Sequence, residues 1–194
     1  MIVFALTRWP GLMPQNFSAA YALAFCAGVY FPRSQAWWLP LGTLFVTDFL
    51  INLYYQFYLH VNAFQLYQLI NYAVYAVIIG LGRRFRASDS WLKLLGGGLL
   101  GAVLFYLITN TSAWWFNPFQ NPEYTRDFLG WLTALTTGTS GWPQTWEFFR
   151  NTLLSGGLFT GLFVGAMKVT EAAEAAEEEE PAEEVESTPE ESQT

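Results

Sequence analysis

The sequence predicts an all-α integral membrane protein: a bundle of five to six transmembrane helices, with a short non-spanning helix inside one long loop. Three observations predict it. From Asn16 to Lys168 the chain is a succession of apolar stretches, each near the ~20 residues that a helix needs to cross a bilayer core. Charged residues make up 13% of the chain and are nearly absent from those stretches. The breaks between stretches carry Pro, Gly, Asn and clustered basic residues, the ordinary composition of helix ends and loops.

Residues 1–9 open the chain with an apolar run that ends in Arg8-Trp9-Pro10, an interfacial stop. Nine residues cannot span a bilayer, and the flanks do not make a signal peptide. The segment reads as the end of a helix that starts upstream; a stub lying in the membrane surface is the other reading. Five spans follow, over about 17–31, 36–55, 63–82, 92–109 and 146–168. The first is short. Between the last two, residues 110–145 form a loop rich in Trp, Asn, Pro and Thr. Loops of this length are usually functional or disordered, and the aromatic content favours order. A short helix over 127–137 fits within it.

The formal charge of −7 is a property of the tail. Residues 171–194 hold 11 carboxylates and no basic residue; residues 1–170 hold five acids and all nine basic residues, a net +4. Residues 170–194 therefore read as an acidic, disordered cytoplasmic tail with too little apolar surface to offset ordering, and transient helix is expected over Glu171–Glu180. Residues 1–169 form the membrane domain. Orientation follows from basic residues near the span ends. Placing Arg33, Arg83, Arg84, Arg86, Lys93 and Lys168 inside leaves Arg8, Arg126 and Arg150 outside, six against three. The C-terminus is then cytoplasmic, in a cell (inner) membrane. The loop Pro10–Asn16, the loop Tyr54–Val61 and the long aromatic loop share the outer face.

Glycines recur every four residues at Gly157, Gly161 and Gly165, and at Gly97 and Gly101. Small residues let helices approach closely in lipid, where hydrophobic drive between helices is weak. Packing within the bundle is the expectation; a docking face for another chain is the alternative. The single cysteine, Cys26, excludes an internal disulfide and reads as a small hydrophobe.

Polar residues inside the spans are the functional candidates. Asp48 is the only acid well inside a span, and Asn52 lies one turn later on the same face. Intramembrane ionisable groups are costly and usually functional. Gln65, Gln68, Asn71 and Tyr72 line one side of the third span, and Asn110 and Asn151 sit at outer helix ends. Interhelical hydrogen bonding is the competing explanation for all of them. Catalytic patterns are missing: His60 is the only histidine, Gly96-Gly97-Gly98 lies within an apolar helix, and basic residues are too few for nucleic acid. No metal, cofactor or catalytic residue is assigned, and the chain reads as a non-enzyme.

A set of ordered motifs carries a family resemblance. They are Arg8…Pro10; Pro14-Gln15-Asn16-Phe17-Ser18; Ala22-Leu23-Ala24-Phe25 with Gly28; Thr47-Asp48; the Arg83–Arg86 loop; Phe105…Thr109-Asn110…Trp114; Tyr124-Thr125…Gly130; and Phe148-Phe149-Arg150-Asn151-Thr152-Leu153. Over residues 8–166 the chain resembles an uncharacterised family of bacterial polytopic membrane proteins, a domain of unknown function that carries a transport label. That family is in turn similar to the S components of energy-coupling-factor (ECF) vitamin transporters. The resemblance implies a six-helix S-component-like bundle that binds a micronutrient in its outer half and works with a coupling transmembrane subunit and ATPases. The expected function is thus a small-solute binding subunit with an outward-facing pocket. Its expected ligand residues are Asp48, Asn52, Asn110, Trp114, Tyr124 and Asn151. The rival is a non-transporting membrane scaffold whose polar residues only lock helices together.

Overall fold

A computed structural model describes residues 1–60 and 64–186, leaving aside the side chains of 177–186; all regular structure among them is helical. Seven α-helices run in the order α1 (Ile2–Arg8), α2 (Ala20–Tyr30), α3 (Arg33–Tyr58), α4 (Leu69–Gly82), α5 (Trp91–Phe116), α6 (Phe128–Leu135) and α7 (Thr145–Glu186). A 3-10 turn over Leu66–Gln68 leads into α4. Among the described residues three helices are long and apolar enough to cross a membrane: α3, α5 and the Thr145–Ala176 part of α7. At 1.5 Å per residue α3 and α5 each extend about 39 Å, beyond the ~30 Å hydrocarbon core. With 11 and 14 residues, α2 and α4 extend only about 16 and 21 Å.

The shortness of α2 and α4 has local causes. Pro32 forces Phe31 out of the helical region, to φ −89°, ψ 150°, which ends α2 and begins α3. Before α4, Gln65 is extended, so the 3-10 turn starts three residues, and α4 six residues, into the expected span. Position 63, the first residue of that span, and position 61, the end of the Tyr54–Val61 loop, lie outside the described residues.

The core is built around α2. Its Ala20, Ala24, Phe25, Cys26 and Ala27 are buried, enclosed by α3, α4, α5 and α7. Small side chains make this possible, since close helix approach in lipid depends on them. The tightest crossing joins α2 to α4. A Cβ placed on Gly28 would stand 2.3 Å from the Ile79 carbonyl oxygen and 2.9 Å from Gly82 Cα. A Cβ on Gly82 would stand 2.2 Å from the Phe25 carbonyl oxygen. Any side chain at either position would push the two backbones apart. Most glycines of α5 and α7 also pack inside the bundle, Gly96 excepted. Gly98 meets Thr160 and Gly156 meets Ala102, both more tightly than Gly157 meets Leu99 or Gly161 meets Trp91.

Each end of the bundle is identified by its contacts. At the basic end, Arg83 donates to the Phe31 carbonyl at 3.2 Å and Lys168 to the Ala87 carbonyl at 2.8 Å. Asp89 accepts from the Arg86 amide and from Lys93. These bonds hold the carboxyl of Asp89 below the usual carboxylate range, the Arg86 amide first. The other end is rich in loops. Here Trp9 packs on Tyr54, Tyr67 on Phe119, and Asn151 holds the Gln15 carbonyl. The three segments expected to share one face meet at this end, but residues 54–58, expected in a loop, are the last residues of α3.

Beyond its spanning part, α7 continues to Glu186, into the segment read from sequence as disordered. Ala and Glu are strong helix formers, and here they extend a helix that is already nucleated. Residues 187–194 of that tail lie outside the described residues.

Candidate functional site

Beneath the loop-rich end lies a layer of polar side chains. Its centre is an ion pair between Arg8, the last residue of α1, and Asp48, midway along α3. Their side chains are 17% and 13% exposed. Burying two charges is costly and is offset only when their hydrogen-bonding capacity is met. Here it is met in part: Arg8 Nε and Asp48 Oδ2 are buried and have no hydrogen-bond partner among the described residues. The Tyr72 hydroxyl faces the same carboxylate from α4. Arg8 also stands 6.0 Å from the centre of the Phe4 ring.

One turn beyond Asp48, Asn52 is buried and forms a reciprocal amide pair with Gln68, at 3.0 and 3.2 Å. Asp48, Asn52, Gln68 and Tyr72 border a cleft of about 370 Å³ between α3 and the start of α4. Its rim is apolar, with Phe45, Phe49, Leu66 and Leu69 exposed.

A second cavity, of about 320 Å³, lies on the Arg8 side of the pair. Its roof is the strap 9–18 between α1 and α2. The strap is closed at its base by Thr7, whose hydroxyl meets Ser18 Oγ at 3.3 Å and accepts from the Ala19 amide at 3.0 Å. It is fixed along its length by two more bonds. Asn151 Nδ2 donates to the Gln15 carbonyl at 2.9 Å, and the Tyr21 hydroxyl donates to the Asn16 carbonyl at 3.2 Å. Asn16 itself adopts φ 61°, a left-handed conformation that Asn tolerates. The cavity floor is aromatic: Tyr21 packs against Phe105 at 4.5 Å and stacks on Tyr75 at an interplanar angle of 10°. Arg8 and Asn71 supply polar wall. Alternate faces of α4 and the turn before it thus serve the two cavities, Gln68 and Tyr72 the cleft, Asn71 and Tyr75 the roofed cavity.

The remaining expected ligand residues have structural bonds. Asn110 Nδ2 donates to the Tyr106 carbonyl of its own helix at 2.8 Å. Trp114 Nε1 donates to the Thr125 carbonyl at 2.7 Å, pinning the long loop to the end of α5. The loop turns at Asn117, which is left-handed (φ 39°) and bonds Asn121 through both ends of its amide. Tyr124 lies in this loop, and burial pushes its phenol above the ordinary value. Asp127 caps α6 by accepting from the Gly130 amide at 2.8 Å and from the Thr125 hydroxyl at 2.8 Å. These bonds lower its carboxyl pKa, the Gly130 amide first. Glu123 is lowered in the same way by Ser140. Asp48 and Asn52 therefore share a cleft, Asn151 holds the cavity roof, and Asn110, Trp114 and Tyr124 belong to the buckle of the long loop. The residue that sequence reasoning missed as a site residue is Arg8, read there for topology, as an interfacial stop and within a motif. The signal was available: an intramembrane acid needs a partner, and Arg8 opens the ordered motifs.

Fold and site together define a class: a helical bundle with three helices long and apolar enough to cross a membrane, and a buried ion pair beside a roofed cavity. Within that class the chain belongs to the family described as a family of unknown function, DUF6580, which matches residues 1–179. No curated protein and no solved structure matches the chain.

Proposed function

We propose that the chain is a solute-binding subunit of a membrane transport system. The observation that carries this reading is the cavity of about 320 Å³ beside Arg8. It falls at the lower end of the roughly 300–1,000 Å³ of small-molecule sites, which combine apolar walls with a few placed polar groups. A cation kept mostly out of water, with one donor unpartnered, is the kind of intramembrane group that marks a substrate path. In this reading the protein is a multi-pass protein of the bacterial inner membrane. Its loop-rich end is outside and its basic end and C-terminus are in the cytoplasm, as the distribution of Arg and Lys favours. The motif resemblance supports micronutrient uptake with a coupling transmembrane subunit and ATPases. The protein acts as a binder without cofactor or catalytic group.

A specific observation favours a second reading, a membrane scaffold. Asn52 and Gln68 bond each other, and Asn110 and Asn151 bond backbone carbonyls, as helix-locking groups would. Two variants separate the readings. Asn71→Leu alters the cavity wall and Asn52→Ala breaks an interhelical pair. A binding subunit purified from its membrane retains a small molecule in native mass spectrometry. Asn71→Leu loses that molecule with little change in Tm, whereas Asn52→Ala lowers Tm and keeps it. A wild type that never carries a solute, with both variants changing Tm alone, would favour the scaffold.

A further inference from the structure

We infer that the solute held under the strap is a small monoanion with a flat apolar body, an aromatic carboxylate in its simplest form, and that Arg8 recognises its charge. The inference rests on the solute-binding reading above and names the ligand class of that site. The lining carries the argument. Of the described residues around the roofed cavity, Arg8 alone is charged. Its partner Asp48 borders the neighbouring cleft instead. A molecule entering the cavity therefore meets a guanidinium and no carboxylate, which disfavours amines and favours anions.

The guanidinium also has capacity to spare. It presents five N–H donors in a planar fork. Asp48 Oδ1 engages Nη2, while Nε is buried without an acceptor among the described residues. A second carboxylate in the cavity would engage the donors of the fork that Asp48 does not take, by the charge-assisted bonding for which this fork is suited. Shape selects the rest of the molecule. Tyr21, Tyr75 and Phe105 form the floor, and Phe17 and Tyr55 join the wall. Flat rings stack on such surfaces, and the cavity size suits one or two fused rings. Asp48 then has a defined part: it holds Arg8 in place and competes with the solute for it.

The test uses the full chain in lipid nanodiscs, with benzoate and 2-naphthoate as probes against benzamide, 2-naphthamide and benzylamine. Calorimetric titration and Tm are read for each. We expect saturable binding of a carboxylate at one site, with its carboxamide about tenfold weaker or worse, the difference of roughly one charge-assisted hydrogen bond. Asp48→Asn removes the competitor and should tighten carboxylate binding about tenfold on the same basis. Arg8→Gln should abolish the preference for carboxylate over carboxamide. Should that variant not purify, Arg8→Lys keeps the charge without the fork and should retain the preference at weaker affinity. Carboxamides or benzylamine binding as well as the acids would overturn the inference, as would unchanged affinity in Asp48→Asn or no carboxylate binding at all. A solute retained in the native mass experiment would still support the binding reading in those cases. A wild type that holds no solute and binds no probe removes both.

Discussion

Arg8 and Asp48, 40 residues apart in sequence, pair across α1 and α3 and separate a roofed cavity from an open cleft. Removing one partner strands the other charge in a poorly solvated place. Breaking a buried pair typically costs 3–5 kcal/mol. Because both side chains keep some exposure, we expect Asp48→Asn and Arg8→Gln each to cost about 3 kcal/mol, at the lower end of that range. The double variant should recover most of the loss. Denaturation midpoints of the four proteins of this cycle check the coupling. Additive losses would mean that the pair contributes nothing as a pair.

The α2–α4 crossing predicts a contrast between glycines. Gly28→Ala places a methyl against the backbone of α4 and should destabilise by about 3 kcal/mol, the upper part of the usual overpacking range. Gly42→Ala in α3 has open space around its Cβ and should be neutral or stabilise by up to about 1 kcal/mol through helix propensity. Equal Tm values for the two variants would contradict the crossing.

Acid should loosen the long aromatic loop before the bundle. Glu123 and Asp127 have folded pKa values lowered from ordinary values of 4.5 and 3.8. A depressed carboxyl stabilises the folded form above its unfolded pKa, and that contribution is lost as pH falls through the folded pKa. Amide exchange of Gly130 and Ser140, whose N–H groups these carboxylates accept, should be flat from pH 8 to about 5 after correction for intrinsic rates, and rise below about pH 4. Asp127→Asn and Glu123→Gln together should remove the acid dependence. A transition near neutral pH would point elsewhere.

Topology can be read by cysteine labelling, since Cys26 is buried and free. Ser88→Cys reports the basic end and Thr137→Cys the loop-rich end; both sites are exposed. In intact cells an impermeant maleimide should label position 137 and leave 88 unlabelled until the cells are opened. The reverse pattern would invert the orientation.

What the sequence made legible was what local rules carry. The short helix expected over 127–137 is α6, and its start is set by Asp127, an N-cap residue recognisable as such. Asp48 and Asn52 were expected on one helix face by their i, i+4 spacing, and both border one cleft. What was not legible depends on distance or on choice of partner. Nothing local joins Arg8 to Asp48. Gly28 and Gly82 make the closest crossing but form no repeat, so the glycine stripes of α5 and α7 drew attention instead. Asn110 and Asn151 have the composition of ligand residues, yet their donors face backbone carbonyls, and an amide's choice between backbone and solute leaves no mark in sequence.

The central claim, a solute held between the strap and the aromatic floor, is tested most directly by electron cryomicroscopy of the protein purified from its own membrane. The account expects compact density in the cavity, touching Arg8 and lying against Tyr21, Tyr75 and Phe105, and expects that density to vanish in Asn71→Leu. A cavity filled by its own side chains, or occupied by the same lipid-like density in wild type and variant, would contradict it.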